Sequence, residues 1–190
     1  MSWANAAEQF TKALALPEPT PGGGAAAATA GAMGVALTLM AVGITLKRKN
    51  TSLEAVSELE KSRRQLTGLL ITLQKLARQD AEAYAAYITA SQLPKEDPSR
   101  QKVLQDALWF AASVPADTAV ACRQVLLATG DIQDKIAPAI LSDVLCAQHL
   151  LRGAVACCME NIRTNLVHIT EPERVRKLEK ILEDYESNRK

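Results

Sequence analysis

Twenty-five consecutive residues, Gly22 to Leu46, pass without a charged side chain, and Lys47, Arg48 and Lys49 follow at once. No other feature limits the fold as much, because such a run must be covered by lipid or by protein. Length and basic flank both suit a membrane span with its end on the cytoplasmic side. The first half, however, is mostly Ala and Gly, which contribute little to insertion, and no second span is evident. A signal peptide is a poor fit, since Glu8, Lys12 and Glu18 precede the run. The run therefore predicts a soluble core helix buried on all sides. Small residues recur along it at four-residue steps, Ala26, Ala30, Gly34 and Thr38 on one line and Ala27 and Gly31 on the next. Such lines let neighbouring backbones approach closely.

The rest of the chain reads as helix as well. A first helix is expected over Trp3 to Leu14, with Phe10, Ala13 and Leu14 inward, ending before Pro17, Pro19 and Pro21. A long helix follows over Ser52 to Ala90, capped by Thr51 or Ser52. It carries Leu53, Val56, Leu59, Leu66, Leu69, Leu70, Leu73 and Leu76 at helical spacing. Leu93-Pro94 ends it. Helix resumes over Arg100 to Ser113, with Pro115 kinking or restarting it, and runs on from Ala116 to Ala128. A further helix is predicted from Pro138 to Ile169 and a last one from Pro172 to Tyr185. No segment alternates as a strand would. The expected class is an all-α multi-helix bundle around the long Ala/Gly-rich helix, a single domain over residues 1–190.

Charge and cysteine use narrow the function. A net charge of +1 provides no long-range field, so neither nucleic acid nor an anionic membrane is an expected partner. The four cysteines, Cys122, Cys146, Cys157 and Cys158, form no C-x-x-C pair. Buried thiols in a reducing, cytoplasmic compartment are the expectation. Cys146 and His149 share a helix face, but no third ligand has zinc spacing, and His168 stands apart; no metal site is predicted.

Several residues can carry chemistry. Gly22, Gly23 and Gly24 open the apolar helix, either as a turn after the prolines or as a seat of bare N–H groups for an anionic or carbonyl oxygen. Asp80 lies among small and apolar neighbours. Asp80, or Glu82 two residues on, is either a solvated helix carboxylate or a half-buried one with a raised pKa, able to exchange protons near neutrality. Asn161 and Asn165 stand one turn apart and either bridge helices or meet a common ligand. Ser142 and Asp143 lie on the same predicted helix, but Asp143 and Asn161 are separated by about 27 Å along its axis. One compact site in one chain cannot use both. Lys47, with Arg48 and Lys49, and Lys95 in the loop after the second long helix suit either helix C-termini or an anionic ligand tail.

In order along the chain, these pieces resemble the C-terminal domain of formiminotransferase-cyclodeaminase and the bacterial methenyltetrahydrofolate cyclohydrolases of the same family. Pro19-Thr20-Pro21-Gly22-Gly23-Gly24-Ala25 and Ala30-Gly31-Ala32-Met33-Gly34 are similar to its PxPGGGS…AGALG opening. Asp80-Ala81-Glu82-Ala83-Tyr84 is similar to DAxAF, Leu93-Pro94-Lys95 to LPK, Val114-Pro115 to VP and Ser142-Asp143 to SD. Gly153-Ala154 with Asn161, Arg163, Asn165 and Leu166 is similar to GA…NVxINL. The set covers nearly the whole chain. Three departures stand out: Ala25 replaces the serine, Leu46-Lys47 replaces GK, and the segment 136–143 lacks the asparagines of GNPNAxSD.

The resemblance implies an all-α, dimeric enzyme acting on a one-carbon unit between N5 and N10 of tetrahydrofolate. No cofactor is implied beyond that folate substrate. It makes Asp80 the general acid/base, with Gly22, Gly23 and Gly24 shaping the pocket and Lys47, Lys95, Ser142, Asp143, Asn161 and Asn165 contacting substrate. Hydrolysis of 5,10-methenyltetrahydrofolate to 10-formyltetrahydrofolate is the expected reaction, since the chain stands without a formiminotransferase domain. Formimidoyltetrahydrofolate cyclodeamination with release of ammonia is the alternative, and a non-catalytic folate- or partner-binding protein is the third.

Overall fold

The computed structural model describes residues 2–187, and among them every regular element is helical. Helix α1 spans Trp3–Leu14, α2 Gly23–Leu46, α3 Leu53–Ser91, α4 Arg100–Ile132, α5 Leu141–Leu166 and α6 Pro172–Ser187. Short 3-10 turns, Gln133–Lys135 and Pro138–Ile140, connect α4 to α5. Caps occur where the sequence offers hydroxyls. Ser2 accepts from the Asn5 N–H and Ser52 from the Ala55 N–H, both at 3.2 Å. The Thr20–Pro21 peptide is cis.

Helices α2 to α5 form the bundle, and α2 packs against the other three. Small residues in α2 make this possible. A Cβ added at Gly34 would stand 2.8 Å from Leu151 Cγ and 3.0 Å from the Ala147 carbonyl oxygen, so α5 rests on bare backbone there. Helix α2 is not buried on all sides, as its composition had suggested. Met33, Met40 and Ile44 lie along one stripe and are 50%, 42% and 42% exposed. Three neighbouring helices cover three sides of a cylinder, and the fourth side faces outward. A second stretch, Pro138–Leu166, is also long and apolar enough to cross a membrane, so the α2 run does not stand alone in this respect. Both stretches bury residues against other helices of the bundle.

The buried residues of α3 follow steps of seven: Leu59, Leu66 and Leu73 in one series, and Leu76, Ala83 and Ala90 in another. Leu53, expected on this seam, is 90% exposed because the helix begins there, beyond the reach of its neighbours. The corresponding series in α5 are Val144, Leu151, Cys158 and Ala147, Ala154. Contacts of Gly24 with Asp80, and of Gly23 with Asn161, at one end of α2 set the directions. Helix α2 runs antiparallel to both α3 and α5, which are therefore parallel to each other.

Helix α4 continues through Pro115 without the restart that was one expectation there. Proline removes the N–H that would bond the Ala111 carbonyl. The Asn165 side-chain amide donates to that oxygen instead, at 3.1 Å. Helix α5 starts after the 3-10 turn at Pro138–Ile140 and ends at Leu166, short of the predicted Ile169.

Candidate active site

The heptad series explain where polar groups enter the interior. Seven residues beyond Leu73 comes Asp80, and seven further comes Tyr87. In α5 the series Val144, Leu151, Cys158 continues to Asn165, and Ala147, Ala154 continues to Asn161 and His168. The seam that packs the core thus turns polar at the same end of two parallel helices. A cleft of about 300 Å³ opens there. Asp80, Ala83, Tyr84 and Tyr87 form one wall, and Asn161, Thr164, Asn165 and His168 the other. Leu108 and Ala111 of α4 lie between them, and Gly22, Gly23 and Gly24 lie at the head with Pro19 and Thr20.

Asp80 is fixed by the glycine turn. Its Oδ2 accepts the Ala25 N–H at 2.9 Å. A Cβ on Gly24 would come within 2.0 Å of Asp80 Oδ1, so the third glycine is the space that the carboxylate occupies. Burial raises the carboxyl above its ordinary value, and the Ala25 N–H bond lowers it part of the way back. The result is a positioned carboxylate with elevated proton affinity. Among the described residues no lysine or arginine lines the cleft.

The two asparagines divide in role. Asn161 donates its amide to the Cys157 carbonyl at 3.0 Å, while its head packs beside Gly23. That leaves the side-chain carbonyl as an acceptor at the glycine end. Asn165 bridges α5 to α4 through Ala111 and also borders the cleft. The other sequence candidates lie elsewhere. Lys47 ends α2, about 34 Å along the axis from Gly24. Ser142 and Asp143 occupy the first turn of α5, with Asn161 about 27 Å away. Lys95 is exposed in the loop between α3 and α4 and does not line the cleft. Straight antiparallel helices keep their two ends apart, so one protomer gathers only Gly22, Gly23, Gly24, Asp80, Asn161 and Asn165 of the predicted set.

Sequence reading missed Tyr84, Tyr87, Thr164 and His168. Their signal was present as helical offsets from Asp80 and Asn161: three, four and seven residues onward on the same faces. Among the described residues no group of three or more His, Cys, Asp or Glu is placed to hold a metal ion. All four thiols were expected to be buried, but Cys146 and Cys157 face outward and are exposed. Cys122 and Cys158 are buried, and burial pushes the Cys122 thiol up to about 12 and raises that of Cys158 as well.

Fold and cleft together define an all-α bundle with a half-buried carboxylate of raised proton affinity at the head of its central helix. The chain belongs to the formiminotransferase-cyclodeaminase family, whose pattern it matches over residues 6–184. It is similar to the crystal structure of formiminotetrahydrofolate cyclodeaminase from Thermotoga maritima, with a TM-score of 0.83 and 26% identity. The match covers 98% of this chain and 89% of that one. No curated protein matches the sequence.

Proposed function

We propose that this protein is a folate enzyme that hydrolyses 5,10-methenyltetrahydrofolate to 10-formyltetrahydrofolate, with Asp80 as general acid/base. The observation that carries this is the Asp80 carboxylate, held by the Ala25 N–H at the head of a cleft that no lysine or arginine lines among the described residues. A methenyl substrate bears an amidinium cation, which a carboxylate attracts and a lysine would repel. Asp80 accepts a proton from water as the oxygen bonds to the methenyl carbon. A tetrahedral carbon bearing hydroxyl and two nitrogens forms, and the C–N5 bond then breaks. N5 takes a proton, the formyl group stays on N10, and one proton is released overall. Elevated proton affinity suits a carboxylate that must both take and return a proton.

The second reading is cyclodeamination, the activity in the name of the similar Thermotoga maritima protein. N10 attacks the formimino carbon there, ammonia leaves and the methenyl cation remains, so the same carboxylate handles the same kind of tetrahedral carbon. Mixing purified protein with 5,10-methenyltetrahydrofolate and following its near-ultraviolet absorbance tests the first reading. Loss above the spontaneous rate, absent in Asp80→Asn, supports it. No acceleration, with ammonia released from the formimino substrate, shifts the assignment to the second.

A cytoplasmic homodimer is part of the same proposal. The exposed Met33, Met40 and Ile44 stripe offers an apolar face to a second copy. Antiparallel pairing of two such stripes would bring the Lys47 end of one copy beside the Gly22 end of the other, which no single chain can do. A solution mass of twice 20.5 kDa, lost in Met40→Glu, is the expected result.

A further inference from the structure

The two walls of the cleft differ along their length, and the difference assigns a direction to the substrate. At the glycine end stand Asp80 and the Asn161 carbonyl. Further on stand Tyr84 and Tyr87 of α3, about 6 and 10 Å along the helix from Asp80, opposite Thr164, about 4.5 Å along α5 from Asn161, and His168 just past the end of α5. The far end is lined by aromatic and hydrogen-bonding groups. A volume of about 300 Å³ lies at the bottom of the range for ligand pockets. That volume suits a fused bicyclic ring with its reacting carbon better than a whole folate. A glutamate tail brings two carboxylates, and among the described residues no lysine or arginine lines the cleft to meet them.

His168 is held in place with unusual care for a residue just past a helix end. Its carbonyl accepts from Gln105 Nε2 at 3.1 Å, and Gln105 Oε1 accepts from both the N–H and the hydroxyl of Thr170 at 3.0 Å. Arg174 of α6 secures the same turn of α4. It donates to the Gln105 carbonyl at 3.2 Å, pairs with Asp106 at 2.8 Å, and lies over the Trp109 ring. These contacts fix the backbone on both sides of His168, which lines the cleft.

Building on the folate reading above, we propose that the pterin bicycle enters this cleft, that Tyr84 packs along the ring and that His168 hydrogen-bonds its polar edge. The aminobenzoylglutamate portion leaves the cleft. Imidazole is both donor and acceptor and matches the amino, N–H and oxo pattern of a pterin edge, which a benzoyl ring lacks. Tyr84 is 37% exposed and so has a face free for a ring. His168 and Tyr84 are specificity-determining residues on this account, separate from the proton transfers at Asp80.

Calorimetric titration with 5-formyltetrahydrofolate, an unreactive relative of the substrate, provides the test. His168→Ala and Tyr84→Leu should each weaken binding about tenfold, with thermal melting unchanged. In competition, the fragment 6-methyltetrahydropterin should lose affinity in His168→Ala, while p-aminobenzoylglutamate should not. Unchanged affinity for 5-formyltetrahydrofolate in both folded variants overturns the assignment of the two residues and leaves the folate reading standing. Loss confined to p-aminobenzoylglutamate reverses the direction of the substrate. Absence of any binding to the unaltered protein overturns the folate reading and this inference together.

Discussion

Asn165 donates its side-chain amide to the carbonyl of Ala111, the acceptor that Pro115 leaves without its helical partner. Two residues fifty positions apart in sequence are thereby halves of one device. The proline frees an oxygen on α4, and the asparagine uses it to lock α5, the helix that forms one wall of the cleft. Without that bond the oxygen at this helix interface loses its side-chain donor.

Asn165→Leu should therefore cost about 1–3 kcal/mol, the desolvation of an unpaired backbone acceptor. Pro115→Ala restores the N–H that can take the Ala111 oxygen. In Pro115→Ala/Asn165→Leu the asparagine loss should cost measurably less than in the native background. Chemical denaturation of the four proteins gives the coupling. Strict additivity would mean that the two residues act separately.

Gly24→Ala should abolish turnover and lower the melting temperature. A methyl group cannot share space with a carboxylate oxygen 2.0 Å away, so either Asp80 or the head of α2 must move. Gly68→Ala is the control, because nothing lies within 4 Å of a Cβ added there. Steady-state kinetics and thermal melts of the two variants make the comparison.

The pH profile follows from Asp80. Burial raises its folded-state pKa, so the base form is lost at a higher pH than for a free carboxylate. The acid limb of kcat/KM should lie above the ordinary aspartate value of about 3.9. Tyr84, Tyr87 and His168 border the same cleft and Cys158 lies close enough to feel its charge, so the profile should be compared with that of His168→Ala. The stability sign is the reverse of the usual carboxylate case. Relative to the unfolded chain, Asp80 favours folding at low pH, and this is lost as pH rises through its folded pKa. Asp80→Asn should therefore melt no lower than the native protein at pH 7, and its relative advantage should shrink on acidification. A large melting loss in the variant at pH 7, with no such trend, would count against a raised pKa.

Cysteine alkylation should separate the thiols by burial. Cys146 and Cys157 are exposed, whereas Cys122 and Cys158 are buried with raised pKa values. Iodoacetamide on the native protein should modify Cys146 and Cys157, and only denaturation should admit reagent to the other two. Mass spectrometry of the peptides reads this directly.

Helix formation and its limits were set locally, by apolar spacing and by signals such as Ser52, Leu93-Pro94 and Pro172, and were therefore legible in the residues themselves. So was the strongest site residue. Asp80 occupies the step after Leu59, Leu66 and Leu73, and a heptad that exchanges leucine for aspartate marks a carboxylate aimed inward. Which groups share a cleft was not local. The antiparallel course of α2 put Gly24 against Asp80 and carried Lys47, Ser142 and Asp143 to the far end. It did so because a straight helix of 24 residues cannot bring its own ends together. The continuity of α4 through Pro115 also awaited an amide from another helix. Periodicity specifies which face of each helix turns inward; only packing decides what that face meets.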